Sequence, residues 1–102
     1  MKYIRGTIID GTGANPIPDG IVAIQGDLIA EVGPRTDFNI SKEAEVINAQ
    51  GKTVLSGIID SHVHTAADPG VRRELLVGGV TAVCDLGSPL DSLPHFAQDR
   101  VG

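Results

Sequence analysis

The chain has no tryptophan, and its aromatic residues are only Tyr3, Phe38 and Phe96 among 102 positions. That scarcity removes the stacking platforms on which single-stranded nucleic acids are bound. Basic residues are also few: eight Lys and Arg stand against thirteen Asp and Glu, for a net charge of -5. The deficit is spread over both halves, so no phosphate-binding footprint exists and no nucleic-acid partner is expected. Cysteine is nearly missing. With Cys84 alone, an internal disulfide and a cysteine-based metal cluster are both excluded, in keeping with a reducing compartment. Long apolar runs are lacking as well, and Lys2 and Arg5 flank only Tyr3 and Ile4, so no signal-peptide pattern follows Met1. The expectation is a cytoplasmic chain with no membrane partner.

What is present is a moderate supply of aliphatic residues, 41% hydrophobic overall, enough for one domain or a small domain plus part of another. Residues 3–10 read as a strand, and Gly11-Thr12-Gly13-Ala14-Asn15-Pro16 as a turn-rich loop. Its glycines do not make a nucleotide loop, because Pro16 stands where a third glycine belongs and no helix pattern follows. Two apolar runs, 20–25 and 28–32, flank Gly26-Asp27, which is a type II′ hairpin signal. Gly33-Pro34 closes the second, and residues 35–45 are polar, with a short turn at Ser41-Lys42-Glu43-Ala44. Asn39-Ile40-Ser41 matches a glycosylation sequon but reads as a solvated loop. Strand character returns at 45–49 and 53–55, with Gln50-Gly51-Lys52 between them as a turn.

Short strands joined by tight turns predict an antiparallel β-sheet or half of a β-sandwich over residues 1–56. After Gly57 the pattern changes. A buried-type strand at 58–64, a helical turn or two at 71–77 and a second buried-type strand at 80–86 make a βαβ unit with a parallel pair. The helix is expected to pack through Val71, Leu75 and Leu76 and to solvate Arg72-Arg73-Glu74. Ser88-Pro89-Leu90-Asp91-Ser92 reads as a loop, and 93–100 as a helix with Pro94 in its first turn. The fold class is therefore mixed α/β.

The most informative segment is Val54-Leu55-Ser56-Gly57-Ile58-Ile59-Asp60-Ser61-His62-Val63-His64. Alternation along an extended strand turns Asp60, His62 and His64 to one face. Two imidazoles so placed suit a zinc-type ion bound through nitrogen, and a carboxylate one pleat back suits the orientation of a ring. The plainer alternatives are a buried or capping histidine pair and a carboxylate that accepts backbone N–H groups. Asp85, at the end of the second buried-type strand, reads as a turn cap or as the rim of a site, with the cap favoured. His95 reads as a solvent-exposed histidine and Cys84 as a small buried apolar residue.

These residues resemble the N-terminal segment of the metal-dependent amidohydrolase superfamily. The likeness runs from Ile8-Ile9-Asp10-Gly11 through residues 20–33 to Gly57-Ile58-Ile59-Asp60-Ser61-His62-Val63-His64, and closes on residues 79–87. The last segment is most similar to the imidazolonepropionase and prolidase-like branch. Ser56 departs from the family pattern, which usually has proline there. The resemblance implies a small β-sandwich over 1–56 and the first strand–helix–strand portion of a truncated (β/α)8 barrel over 57–102. It further implies a divalent metal, zinc foremost, with His62 and His64 as its first two ligands and Asp60 behind them. The implied chemistry is hydrolysis of non-peptide carbon–nitrogen bonds of a small molecule by metal-activated water, with a carboxylate moving the proton.

A full barrel needs about 250 residues, and the family's later ligands, a lysine, two histidines and an aspartate, have no counterpart in this sequence. Asp60, Asp68, His95 or a second chain would have to complete the sphere. The isolated polypeptide is therefore expected to be inactive. The alternative is a non-catalytic β-rich module for folding or association, with the histidines as remnants. Its open sheet edges would invite a homo-oligomer or pairing with a C-terminal segment.

Overall fold

The computed structural model describes residues 1–92, so the helix expected over 93–100, and His95 with it, lies outside the described residues. The chain divides into two compact units, Met1–Ser56 and Gly57–Gly102.

The first unit is built from four strands: β1 (Lys2–Ile8), β2 (Ile17–Gln25), β3 (Leu28–Pro34) and β4 (Glu45–Val54). They form one sheet in the order β3-β2-β1-β4. β1 and β2 are antiparallel, as are β2 and β3, and the latter pair turns at Gly26-Asp27. Gly26 has φ of 63° and Asp27 does not share a positive φ, which is the signature of the type II′ turn expected there. The expectation of a purely antiparallel sheet is corrected at β4, which runs parallel to β1. Hydrophobic alternation fixes which face a side chain takes but carries no information on strand direction. The direction comes from the connection: residues 35–44, with a 3-10 turn at Arg35–Asp37 and the turn from Ser41 to Ala44, carry the chain back so that β4 starts where β1 starts.

The turn read at Gln50-Gly51-Lys52 is a bulge inside one continuous strand. Pairing passes from Arg5↔Asn48 to Thr7↔Thr53, so Gly6 alone faces residues 49–52. Gly51 takes φ of 80°, and Gln50 donates its backbone N–H to the Asn48 side chain at 3.0 Å. The space depends on Gly6, since a Cβ there would lie 2.9 Å from the Ala49 carbonyl oxygen. β2 carries a second irregularity between Gly20 and Ile17, and Pro18 falls within it, where a residue without an N–H is tolerated.

The core of this unit lies on the two inner strands. Ile8, Ile21, Val22 and Ala23 are buried. Successive residues of β2 point to opposite faces, so their joint burial means that the strand is covered on both sides at its middle. Tyr3 and Phe38 meet edge to face with ring centroids 6.5 Å apart, and Lys2–Glu45 and Arg5–Asp19 ion pairs tie β1 to its two neighbours at the surface.

In the second unit, β5 (Ile58–Val63), α1 (Pro69–Val77) and β6 (Val80–Asp85) form the expected βαβ arrangement, with β5 and β6 parallel. α1 begins on Asp68, whose side chain accepts the N–H groups of Gly70 and Val71, with Pro69 in the first turn. Val71 and Leu75 are half-buried, whereas Leu76 is exposed, one position off the expected packing stripe. Arg72 departs from its expected solvated role. Its guanidinium donates to the Ala66 and Ala67 carbonyl oxygens at 2.6 and 2.8 Å and so ties the helix to the loop before it. Residues 90–92, expected in a loop, form a 3-10 turn. Among the described residues, no helix is long and apolar enough to cross a membrane.

Ile21 is fully enclosed, so Ile21→Ala should lower unfolding free energy by roughly 2–5 kcal/mol through lost burial and a residual cavity. Urea denaturation followed by circular dichroism measures this. A loss under about 0.5 kcal/mol, the range of ordinary surface substitutions, would place Ile21 outside the core.

Candidate functional site

β5 delivers Asp60, His62 and His64 to the carboxyl end of the parallel pair, but not by simple alternation. Pairing passes from Asp60↔Val83 to Val63↔Asp85, so Ser61 and His62 together face the single residue Cys84. A bulge of this kind re-aims side chains and is frequent beside functional sites. Asp60 supports it locally: its Oδ1 accepts the backbone N–H of His62 at 3.1 Å. Of the two roles read for Asp60, the structure therefore displays the backbone acceptor, and among the described residues no bond from its carboxylate to an imidazole is present.

The two histidines do meet. Their Nε2 atoms are 2.9 Å apart, with ring centroids separated by 5.0 Å and planes tilted by 42°. Both residues are exposed. At that separation one Nε2 donates and the other accepts, the roles being set by the tautomers. Two nitrogens held by one ion at about 2.0–2.1 Å each can be no further apart than about 4 Å, and this pair meets that requirement. Among the described residues no cluster of three or more His, Cys, Asp and Glu side chains could hold a metal. Asp68, considered as a further ligand, is engaged at the start of α1.

Asp85 organises the opposite side of the same end. Its Oδ1 accepts the N–H groups of Gly87 and Ser88 at 2.9 and 2.8 Å. Its Oδ2 accepts the Ser88 hydroxyl at 2.6 Å and, across from the loop after β5, the Ala66 N–H at 2.8 Å. One carboxylate thus clamps the loop following each strand, a turn-capping role extended to a neighbour. These bonds, led by the Ser88 hydroxyl and the Gly87 N–H, lower the Asp85 pKa from 3.8 to about 2. Ala66 is fully buried beneath the clamp.

Cys84 corrects the reading of a buried apolar residue. It is exposed, as is Ala82 on the same strand, because among the described residues a two-stranded sheet with one helix leaves much of β6 uncovered. Sequence reasoning also passed over Gly57 and Gly87. A Cβ on Gly57 would overlap the Thr81 side chain, coming within 2.7 Å of its Cβ, and one on Gly87 would overlap the His64 ring. Neither close approach leaves a signal in sequence, whereas the Asp68-Pro69 helix start does.

Because the folded pKa of Asp85 lies below its ordinary value, its stabilisation is present above pH of about 4 and is lost as pH falls toward 2. Amide chemical shifts of Ala66, Gly87 and Ser88, followed by NMR during acidification, should move together with a midpoint near 2. A shared midpoint at 3.8 would show that the clamp does not hold in solution.

No family model matches the chain. Among curated proteins, the enamidase of Eubacterium barkeri is 30% identical over 106 aligned residues, which cover 95% of this chain and 27% of the enamidase. The imidazolonepropionase of Alkaliphilus metalliredigens is 43% identical over 83, covering 78% of this chain and 17% of that protein. The solved structure of molinate hydrolase superposes with a TM-score of 0.74 at 28% identity, over 98% of this chain and 27% of the hydrolase. This chain thus spans about a quarter or less of the length of these relatives. With the histidine pair at a strand end, the βαβ unit behind it and likenesses that extend along nearly the whole sequence, the findings point to the amidohydrolase superfamily, whose N-terminal domains this chain matches.

Proposed function

We propose that this chain provides the first two metal ligands, His62 and His64, of a hydrolase acting on non-peptide carbon–nitrogen bonds of a small molecule. The observation that carries the reading is the 2.9 Å approach of the two Nε2 atoms at the carboxyl end of β5. That end is where parallel α/β folds place their chemistry. Relatives named enamidase, imidazolonepropionase and adenine deaminase support the bond class. On this reading β5, α1 and β6 open a (β/α)8 barrel, and the remaining ligands and the proton-transfer carboxylate come from beyond the described residues.

A divalent metal, zinc foremost, would supply Lewis acidity when bound: it polarises the substrate and makes water a nucleophile near neutral pH. The chain's own residues do the positioning. His62 and His64 each present Nε2 to a common point, and the bulge held by Asp60 sets the direction of His62. Asp85 holds the loops that follow each strand. Two imidazoles supply half of zinc's usual four ligands, so on this reading the described residues alone hold zinc weakly and do not turn over substrate. Association with strands that complete the sheet, from a C-terminal segment or a second copy, would precede activity.

Calorimetric zinc titration of the 102-residue chain checks this directly. Binding at one zinc per chain should weaken about tenfold or more in His62→Ala and again in His64→Ala, consistent with losing one of two donors. Equal zinc affinity in the wild-type chain and the double variant would exclude the pair as ligands and favour a non-catalytic module.

A further inference from the structure

The described part of the second unit contains five glycines, and four of them have no positive φ to require glycine. Gly79 takes φ of 94°, which a side chain would strain. Gly70 and Gly78 lie at the ends of α1. Gly57 leaves room for Thr81. Gly87 has no positive φ, so its backbone angles impose no need for glycine. What excludes a side chain there is the His64 imidazole. A Cβ on Gly87 would overlap Nδ1, with Cγ at 2.9 Å and Cβ at 3.1 Å.

The approach is imposed by the fold from two sides. The Leu86 N–H donates to the Val63 carbonyl at 2.9 Å, which continues the strand pairing past Asp85 and brings residue 87 alongside residue 64. Asp85 then fixes Gly87 through its N–H and fixes the loop after His64 through the Ala66 N–H. The ring of His64 is thereby bounded by the Gly87 backbone on its Nδ1 side and by His62 on its Nε2 side.

We infer that Gly87 is a positioning residue: its bare backbone, held by Asp85, seats the His64 imidazole so that Nε2 meets His62. A side chain at 87 would push the ring out of register with its partner while leaving the backbone free to fold. The role deepens the metal-pair reading and rests on it for its effect on zinc. The seating of the ring is a property of the metal-free chain and is read separately.

The experiment compares wild type, Gly87→Ala and a control, Gly78→Ala, whose added Cβ would make only ordinary contacts, 3.4 Å or more from its neighbours. In the metal-free 102-residue chain, a nuclear Overhauser effect between the Hε1 protons of His62 and His64 reports the approach. It should be present in wild type and control and lost in Gly87→Ala, with the β5 and β6 amide shifts retained. Zinc affinity by calorimetry should fall about tenfold or more in the same variant, the scale on which groups behind metal ligands act. Retention of both the Overhauser effect and wild-type affinity in Gly87→Ala would overturn the inference. If wild type itself takes up no zinc, the metal reading fails, and the Overhauser comparison still decides the role of Gly87. Should Gly87→Ala not fold, Asp85→Asn decides. It replaces one of two oxygens, each of which accepts a backbone N–H, by an amide donor, and loss of the His62–His64 signal with retained strand shifts supports the seating, whereas its persistence overturns it.

Discussion

Parallel pairing of two strands places both carboxyl ends at one edge of the sheet, and everything chemically distinctive in the second unit follows from that. The crossover needs a connection long enough to return the chain, and α1 supplies it. Once β5 and β6 end side by side, a residue after one strand is a neighbour of a residue after the other. His64 beside Gly87, and Ala66 beside Asp85, are both products of this arrangement. The loops at that edge hold the polar groups, and the strands determine where the loops begin.

The parts of the fold that were legible in the sequence are those written in local chemistry. Gly26-Asp27 announced a hairpin because a type II′ turn demands a positive φ at its first position, and Gly26 adopts one. The βαβ unit was readable from two β-branched runs around a short amphipathic stretch. Strand direction was not, because alternation in β4 is the same whichever way it runs. The bulge at Ser61 and His62 was equally hidden, since an extra residue in one strand shows only against its partner. The histidines stand out by their spacing, whereas the 2.9 Å approach of their Nε2 atoms shows only in the structure. Asp60 accepts a backbone N–H, one of the two roles open to it. Gly87 was invisible because its constraint comes from a residue far away in sequence.

The two units are held together internally by different means. In the first, apolar side chains on β1 and β2 do most of the work, with Ile21 at the centre and cross-strand glycines, Gly6 opposite Gly20, admitting the irregular stretches of the neighbouring strands. In the described part of the second, Ala66 is the sole buried hydrophobic residue. Order at its carboxyl edge comes instead from hydrogen bonds: the Asp68 cap, the Arg72 ties to two carbonyls and the four donors gathered by Asp85. A carboxylate that satisfies two loops at once gives definition where there is little apolar surface to enclose.

The exposure of Cys84 has a practical side. It is the only thiol in the sequence, and it stands across the ladder from the bulged pair Ser61 and His62. A maleimide-linked fluorophore or spin label would therefore attach at one defined point, beside the histidines yet on none of the groups that hold them. The same sulfhydryl that was read as core filler becomes a built-in handle for testing whether the histidine pair takes up a metal.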